Sequence, residues 1–187
     1  MVSTQSTDEP VYIALASSSN SRNFKLKTDH LTDLFSAFSQ ENRVLGDDPR
    51  IGKGRGKPLP DIYLLALETI NAELRSKGKA EITPAECLVF EDAVPGVEAG
   101  RRAGMQVIWC PHPGLLEAYK GREEEVLAGR TGQHKEEEKT DAEKEAEELQ
   151  AWRIQGAGEP GQIGDGWAHI VSTLEDFPYE RFGIRIP

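Results

Sequence analysis

Glu91 and Asp92 stand side by side at the end of the apolar run Leu88-Val89-Phe90, just before Ala93-Val94-Pro95-Gly96 turns the chain into a helical pattern. A run of this kind, closed at once by a turn and a helix, predicts a buried parallel strand whose carboxyl end carries both acids into a crevice. Open α/β sheets bind their ligands there. Adjacent carboxylates repel each other and are tolerated where a divalent cation or a basic group neutralises them, so the pair points to a hard-metal site. On the pair alone a plainer reading stays open, in which Glu91 caps the strand and Asp92 is an N-cap or turn residue of the helix.

Two other places supply complementary chemistry. The apolar run Val11-Tyr12-Ile13-Ala14-Leu15-Ala16 stops at Ser17-Ser18-Ser19-Asn20, and Lys57 follows the glycine loop Gly52-Lys53-Gly54-Arg55-Gly56. Taken singly, Ser17 and Asn20 read as helix caps and Lys57 as a solvated loop charge. If the strands are parallel, Ser17 and Lys57 reach the same sheet end as Glu91 and Asp92. A hydroxyl, an ammonium and a carboxylate pair are the parts needed to hold a phosphoryl group beside Mg²⁺. The glycine loop is not a nucleotide-type phosphate loop, which needs Gly at 51 and Ser or Thr at 58, where the chain has Ile51 and Pro58. A dinucleotide fingerprint is excluded too, because Lys57 stands where its third glycine belongs.

Several elements must position these groups. The run at 11–16 predicts a strand, and Phe24, Thr28 and Leu31 recur at helical spacing, predicting a helix to about Leu34. Arg43 to Leu45 reads as a brief strand, and residues 52–58 as a flexible loop. After Pro60-Asp61, Tyr63, Leu67, Ile70 and Leu74 form a 4-3-4 apolar stripe that Lys77-Gly78 stops, the most regular helix in the chain. Val97 to Ala103 predicts a helix closed by Gly104, and Gln106 to Cys110 another strand. Strands alternating with helices predict parallel crossovers.

Composition narrows the class. The 187 residues suffice for one well-buried domain, with a formal net charge of −10. Half of that charge lies between Glu117 and Arg153, where twelve acids face seven Lys or Arg. An acidic chain without a basic stripe offers no footprint for nucleic acid or an anionic membrane, and no apolar run approaches the ~20 residues of a membrane span. Cys87 and Cys110 read as buried reduced thiols, and residues 1–10 lack the order of a secretory signal. The expectation is a cytoplasmic protein with four segments: a disordered N-terminus at 1–10, a core at 11–114, an acidic, partly helical or disordered insert at 115–166, and an edge strand with a terminal turn at 167–187. In the last segment Ile170, Val171 and Leu174 read as strand, and Phe177, Tyr179, Phe182 and Ile184 as a turn packed on the body.

Three motifs in order, Ala14-Leu15-Ala16-Ser17-Ser18-Ser19, Gly56-Lys57-Pro58-Leu59-Pro60-Asp61-Ile62-Tyr63 and Val89-Phe90-Glu91-Asp92-Ala93-Val94-Pro95-Gly96-Val97-Glu98-Ala99-Gly100, closed by Ala103-Gly104-Met105, resemble the later motifs of the haloacid dehalogenase-like hydrolase superfamily. Phe24 to Thr28, Val44 to Pro49, Leu174 to Phe177 and Arg181-Phe182-Gly183 bring the likeness nearer to the β-phosphoglucomutase-like branch and its pseudouridine 5′-phosphatase-like enzymes. It covers about residues 11–113 and 168–184. The resemblance implies an α/β fold, a Rossmann-like parallel sheet with flanking helices. Ser17 and Lys57 would be catalytic, Ser17 bonding a phosphoryl oxygen and Lys57 neutralising the phosphate and the nucleophile. Ser18 and Asn20 would line the phosphate pocket, Asp92 would ligate Mg²⁺, and Glu91 would hold the metal's water shell. The implied substrate is a small phosphorylated metabolite.

The family's attacking group is missing from the string. Its Asp-x-Asp pair, on a first strand that lies between those at 11–16 and 87–90, precedes the serine motif, as does its substrate-selecting cap. No Asp-x-Asp occurs in the 187 residues. His112 between Pro111 and Pro113 has no evident acid partner as a substitute. The expectation is therefore a partial sheet without its central first strand and cap: the C-terminal part of a Mg²⁺-dependent phosphatase, truncated and inactive alone. Two apolar strand edges would either pair or stay open. The alternative expectation is a non-catalytic phosphate- or metal-binding module that contacts a protein partner through the acidic insert.

Overall fold

A computed structural model of the chain describes residues 10–132 and 158–185. In order the elements are β1 (Leu15–Ser17), α1 (Ser21–Thr28), α2 (Thr32–Phe35), β2 (Arg43–Leu45), α3 (Asp61–Ser76), β3 (Leu88–Glu91), α4 (Val94–Arg102), β4 (Gln106–Trp109), α5 (Pro113–Ala118), α6 (Glu123–Leu127) and β5 (Ala168–Ile170), with 3-10 turns at Pro84–Glu86 and Tyr179–Phe182. The fold is α/β with parallel strands and flanking helices.

The strands form two sheets. β1 pairs with β2 in parallel, and β3, β4 and β5 form a second parallel sheet in that order. No strand pairing joins β1 to β3 among the described residues, so each has one unpaired edge. The open-edge outcome is the one realised. It also explains why the strand expected over 11–16 is regular only from Leu15: on its paired side Leu15 N–H reaches Asn42 O at 2.9 Å, while Val11 and Ile13 are exposed with no ladder on either side.

The core lies between the strands and the helices α3, α4 and α6. Val107, Ile108 and Trp109 on β4 are fully buried, as is Val44 on β2. α3 runs where its stripe predicts, but its first two turns are buried almost all round, since Ile62, Leu64, Leu65 and Ala66 join the stripe. It touches β1, β2 and α4, and so fastens the two sheets together. α4 starts at Val94, earlier than its apolar pattern suggests, because Pro95 suits a first turn. The single helix expected to Leu34 is broken: α1 stops at Thr28, whose hydroxyl donates back to Phe24 O at 3.0 Å, and Leu31 N–H closes a turn on Thr28 O. Gly100 on α4 lets Val107 and Val89 approach closely, since a Cβ there would crowd Val107 Cγ2 at 2.8 Å.

Part of the stretch expected as an insert belongs to the folded body. Val126 on α6 is fully buried, and Leu115, Leu116, Tyr119 and Leu127 pack on the core. The chain is tied to α4 on both sides of residues 133–157: Thr131 hydroxyl donates to buried Glu98 at 3.3 Å, and Gly158 N–H donates to Arg102 O at 2.7 Å. The insert at 133–157 and the N-terminal segment at 1–9 lie outside the described residues. Beyond them, β5 is a short strand on the β4 edge, and Phe177, buried, stacks on Phe182 with centroids 5.1 Å apart.

Cys87 and Cys110 are free thiols. Cys87 precedes β3 and packs against the core, and burial, with Glu86 adding a smaller push, raises its thiol to about 11 from 9.0. Such a shift leaves about a hundredfold less thiolate near neutrality, so alkylation of Cys87 is expected to run about a hundredfold slower at pH 8 than that of an unhindered thiol. Folding stability linked to this group is full below pH 9.0 and is lost as pH rises toward 11, because the unfolded thiol ionises first. Peptide-resolved alkylation from pH 7 to 11 checks both; a midpoint near 9 for Cys87 contradicts them.

Candidate functional site

The carboxyl ends of β1 and β3 meet the loop before α3, and Lys57 joins them. Its Nζ donates to Ala16 O on β1 at 3.2 Å and pairs with Glu91 Oε1 at the end of β3. Both side chains are nearly buried, with 11% and 8% of their surface exposed. The ammonium also lies over the ring of Tyr63, 4.8 Å from its centroid, and the Tyr63 hydroxyl donates to the same Glu91 oxygen. Burial first, then the Glu91 charge, pushes the Tyr63 phenol well above its ordinary range, so it stays protonated and serves as a donor.

The loop that carries Lys57 is held in place. Arg55, half-buried, forms an ion pair with Asp61 in the first turn of α3 and donates Nη2–H to Asp61 Oδ2 at 2.9 Å. Asp61 is almost fully buried. The expectation of a flexible loop at 52–58 did not foresee this pair, which fixes the loop to the helix that also bears Tyr63.

Gly96 makes room for Glu91. A Cβ at this position of α4 would overlap the Glu91 carboxylate, so the absence of a side chain lets that carboxylate lie against the helix while Lys57 and Tyr63 hold its other side. Gly46 does the same on the first sheet, where a Cβ would strike the Ser18 carbonyl and Gly46 N–H bonds Ser19 O at 3.0 Å.

Ser17 ends β1, half-buried, and its Oγ accepts Ser19 N–H at 3.2 Å, leaving the hydroxyl proton for an outside acceptor. Ser18 is exposed. Asn20 is the N-cap of α1 and takes Asn23 N–H on Oδ1 at 2.8 Å, the cap reading left open from the sequence. The first turn of α1 has a second partner: Asp47 accepts both the N–H and the hydroxyl of Ser21, each at 2.9 Å, and the Ser21 N–H, then its hydroxyl, holds the Asp47 carboxyl below its usual range. Asp92 is exposed at the tip of β3, and its carboxylate makes no hydrogen bond or ion pair among the described residues. Lys57, Glu91 and the end of β1 are thus in direct contact, Ser17 and Asp92 follow the contacting residues Ala16 and Glu91 directly in the chain, and Asn20 is committed to its helix. His112 caps α5, accepting Gly114 N–H at 3.1 Å.

The two acids have different surroundings. Glu91, the last residue of β3, turns inward to Lys57 and Tyr63, and Asp92, in the bend that follows, is exposed. Among the described residues no three His, Cys, Asp or Glu side chains gather to hold a metal. Magnesium is commonly held by one or two carboxylates, with water and phosphate oxygens completing the octahedron. A free carboxylate at the strand tip, with a second one behind it, fits that donor set. Tyr63 escaped notice because its spacing on α3 reads as core; the clue was its hydroxyl, since a buried phenol needs a polar partner.

A haloacid dehalogenase-like hydrolase family model matches residues 9–104. A probable pseudouridine-5′-phosphatase of Saccharomyces cerevisiae is 49% identical over 118 residues, 63% of this chain and 47% of that protein. A protein of the same designation in Drosophila melanogaster is 36% identical over 118 residues, 63% and 46%. The (DL)-glycerol-3-phosphatase 1 of Arabidopsis thaliana is 37% identical over 116 residues, 62% and 35%. The crystal structure of a putative β-phosphoglucomutase from Thermotoga maritima is 34% identical, covers 61% of this chain and 49% of that one, and superposes with a TM-score of 0.42. The chain spans less than half the length of each of these relatives. No helix among the described residues is long and apolar enough to cross a membrane.

Proposed function

Because the chain belongs to the haloacid dehalogenase-like hydrolase family, we propose that it forms the phosphate-holding part of a phosphatase for a small phosphorylated metabolite, of the sugar phosphate or nucleoside monophosphate type. The observation that carries this reading is the bridge made by Lys57, which reaches from Ala16 O to Glu91 across the unpaired edges of β1 and β3. In this reading Ser17 donates its hydroxyl to one phosphoryl oxygen and Lys57 draws negative charge to the same place, both at the carboxyl end of the strands. Ser18, exposed beside Ser17, would lie at the rim of the phosphate place, while Asn20 caps α1. Asp92, with Glu91 behind it, would hold Mg²⁺, which supplies charge neutralisation at the phosphoryl oxygens when bound. The free thiols agree with a cytoplasmic location.

The attacking carboxylate comes from outside these 187 residues, which contain no Asp-x-Asp. In this reading a further parallel strand would pair with the free edges of β1 and β3 and bring that carboxylate to the strand ends that Lys57 bridges. The chain alone therefore binds phosphate and does not turn over esters through an aspartyl-phosphate. The non-catalytic alternative keeps the phosphate and metal pocket and adds a protein partner for the acidic insert.

The test is phosphate release from pseudouridine 5′-phosphate and glycerol 3-phosphate with MgCl₂, for the chain alone and with a separately made polypeptide that supplies an apolar strand ending in Asp-x-Asp. Release is expected only with the added polypeptide, and is lost in Asp92→Asn. Steady release by the chain alone, abolished in Asp92→Asn, overturns the view that the attacking group comes from elsewhere. No release under either condition favours the non-catalytic alternative.

A further inference from the structure

We infer that Tyr63 is a positioning residue for Lys57 and acts through Glu91. What the positioned ammonium does rests on the phosphate-site reading above; the positioning stands on contacts within the chain. A lysine carries its charge on a flexible four-carbon stem, and a defined ammonium position requires partners on more than one side. Lys57 has three: the Ala16 carbonyl at 3.2 Å, the Glu91 carboxylate and the face of the Tyr63 ring, 4.8 Å from Nζ. The last two are one unit, because the Tyr63 hydroxyl and the Lys57 ammonium share Glu91 Oε1.

Tyr63 is 7% exposed and sits on α3, the helix packed against β1, β2 and α4. Its hydroxyl therefore fixes that carboxylate oxygen relative to the rigid part of the fold, and the oxygen in turn fixes the ammonium. Gly96 leaves the carboxylate no competing side chain on its other flank. Phenylalanine at 63 would keep the volume and the ring face and remove only the hydroxyl. The outward Asp92 is not part of this unit, so the inference divides the twin acids: Glu91 orients the cation, and Asp92 faces the ligand side.

The test is NMR of the lysine ammonium groups in the isotope-labelled full chain, with the Lys57 signal identified by its absence in Lys57→Arg. In the unaltered protein that signal is expected to be narrow and slow to exchange with solvent. In folded Tyr63→Phe the exchange is expected to be about tenfold faster, a loss equal to roughly one hydrogen bond of ~1.4 kcal/mol, while the other ammonium signals stay unchanged. A merely structural role for Tyr63 would not single out Lys57. The reciprocal reading keeps Tyr63 intact, so it decides the question even if Tyr63→Phe does not fold: the Tyr63 hydroxyl proton is expected to shift in Lys57→Arg. An unchanged Lys57 signal in folded Tyr63→Phe, or an unmoved hydroxyl proton in Lys57→Arg, overturns the inference. Failure of the chain to bind inorganic phosphate would remove the function proposed for the site and leave these two signals to judge Tyr63 by themselves.

Discussion

Lys57→Met lowers the stability of the chain by about 3 kcal/mol, because it leaves a nearly buried carboxylate without its cation. Glu91 is 8% exposed and Lys57 11% exposed, so water does little to replace the lost partner. Breaking a buried pair from one side typically costs about 3–5 kcal/mol, and the lower end applies here because Tyr63 still donates to Glu91. Against a typical total of about 5–15 kcal/mol for a domain, this is a large fraction. The loss belongs to the orphaned charge and not to the missing attraction, so Lys57→Met combined with Glu91→Gln is expected to recover most of it. Urea unfolding followed by circular dichroism checks both: the single variant moves the midpoint down sharply and the double variant brings it back. An unchanged midpoint in Lys57→Met would mean that the ammonium is solvated and that the bridge between the sheets does not form.

This bridge matters because β1 and β3 share no ladder among the described residues, and the sheets are joined through α3, the Lys57 loop and the packing of Val44 and Ala16 against the common core. A chain assembled in this way depends on side chains where a complete sheet would use backbone pairing. The same lack of pairing accounts for the exposure of Val11 and Ile13.

The elements that carry strong local patterns were legible before any coordinates. The 4-3-4 stripe of α3 and the run ending at Glu91-Asp92 depend on residues within one or two turns of each other, and both fall where the pattern places them. Arg43–Leu45, with only Val44 to mark it, was legible because a turn closes it at Gly46. What was not legible depends on distant partners. Nothing near Val11 says that its strand edge is unpaired, and nothing near Val126 says that a helix beginning Glu123-Glu124-Glu125 buries a valine completely. The charged composition hid that contact, since three consecutive glutamates precede Val126 and Leu127, which pack on the core.

The candidate site divides along the same line. Motif order points to Ser17, Lys57, Glu91 and Asp92, and of these the structure brings Lys57 into contact with Glu91 and with Ala16, the residue before Ser17. Tyr63 and Gly96 were visible as residues, but their parts in the cluster were not, because a core stripe and a helix glycine have common structural explanations. Arg55 was read with a mobile glycine loop, and its partner Asp61 as a first-turn acid of α3; each makes sense only when they are seen paired.

In the proposed function Ser17, Lys57 and Asp92 surround a place for phosphate. Calorimetric titration of the folded chain with inorganic phosphate, with and without MgCl₂, tests it most directly. The account predicts saturable binding at about 1 mM or tighter, a free energy near −4 kcal/mol. Charge-assisted hydrogen bonds are worth about 1.5–3 kcal/mol, so affinity should fall about 10- to 100-fold in the folded Lys57→Met, Glu91→Gln variant. It should fall less in Ser17→Ala, which removes a neutral donor, and Asp92→Asn should abolish the gain that MgCl₂ provides. Absence of saturable binding, or equal affinity in the original chain and the Lys57→Met, Glu91→Gln variant, would contradict the account.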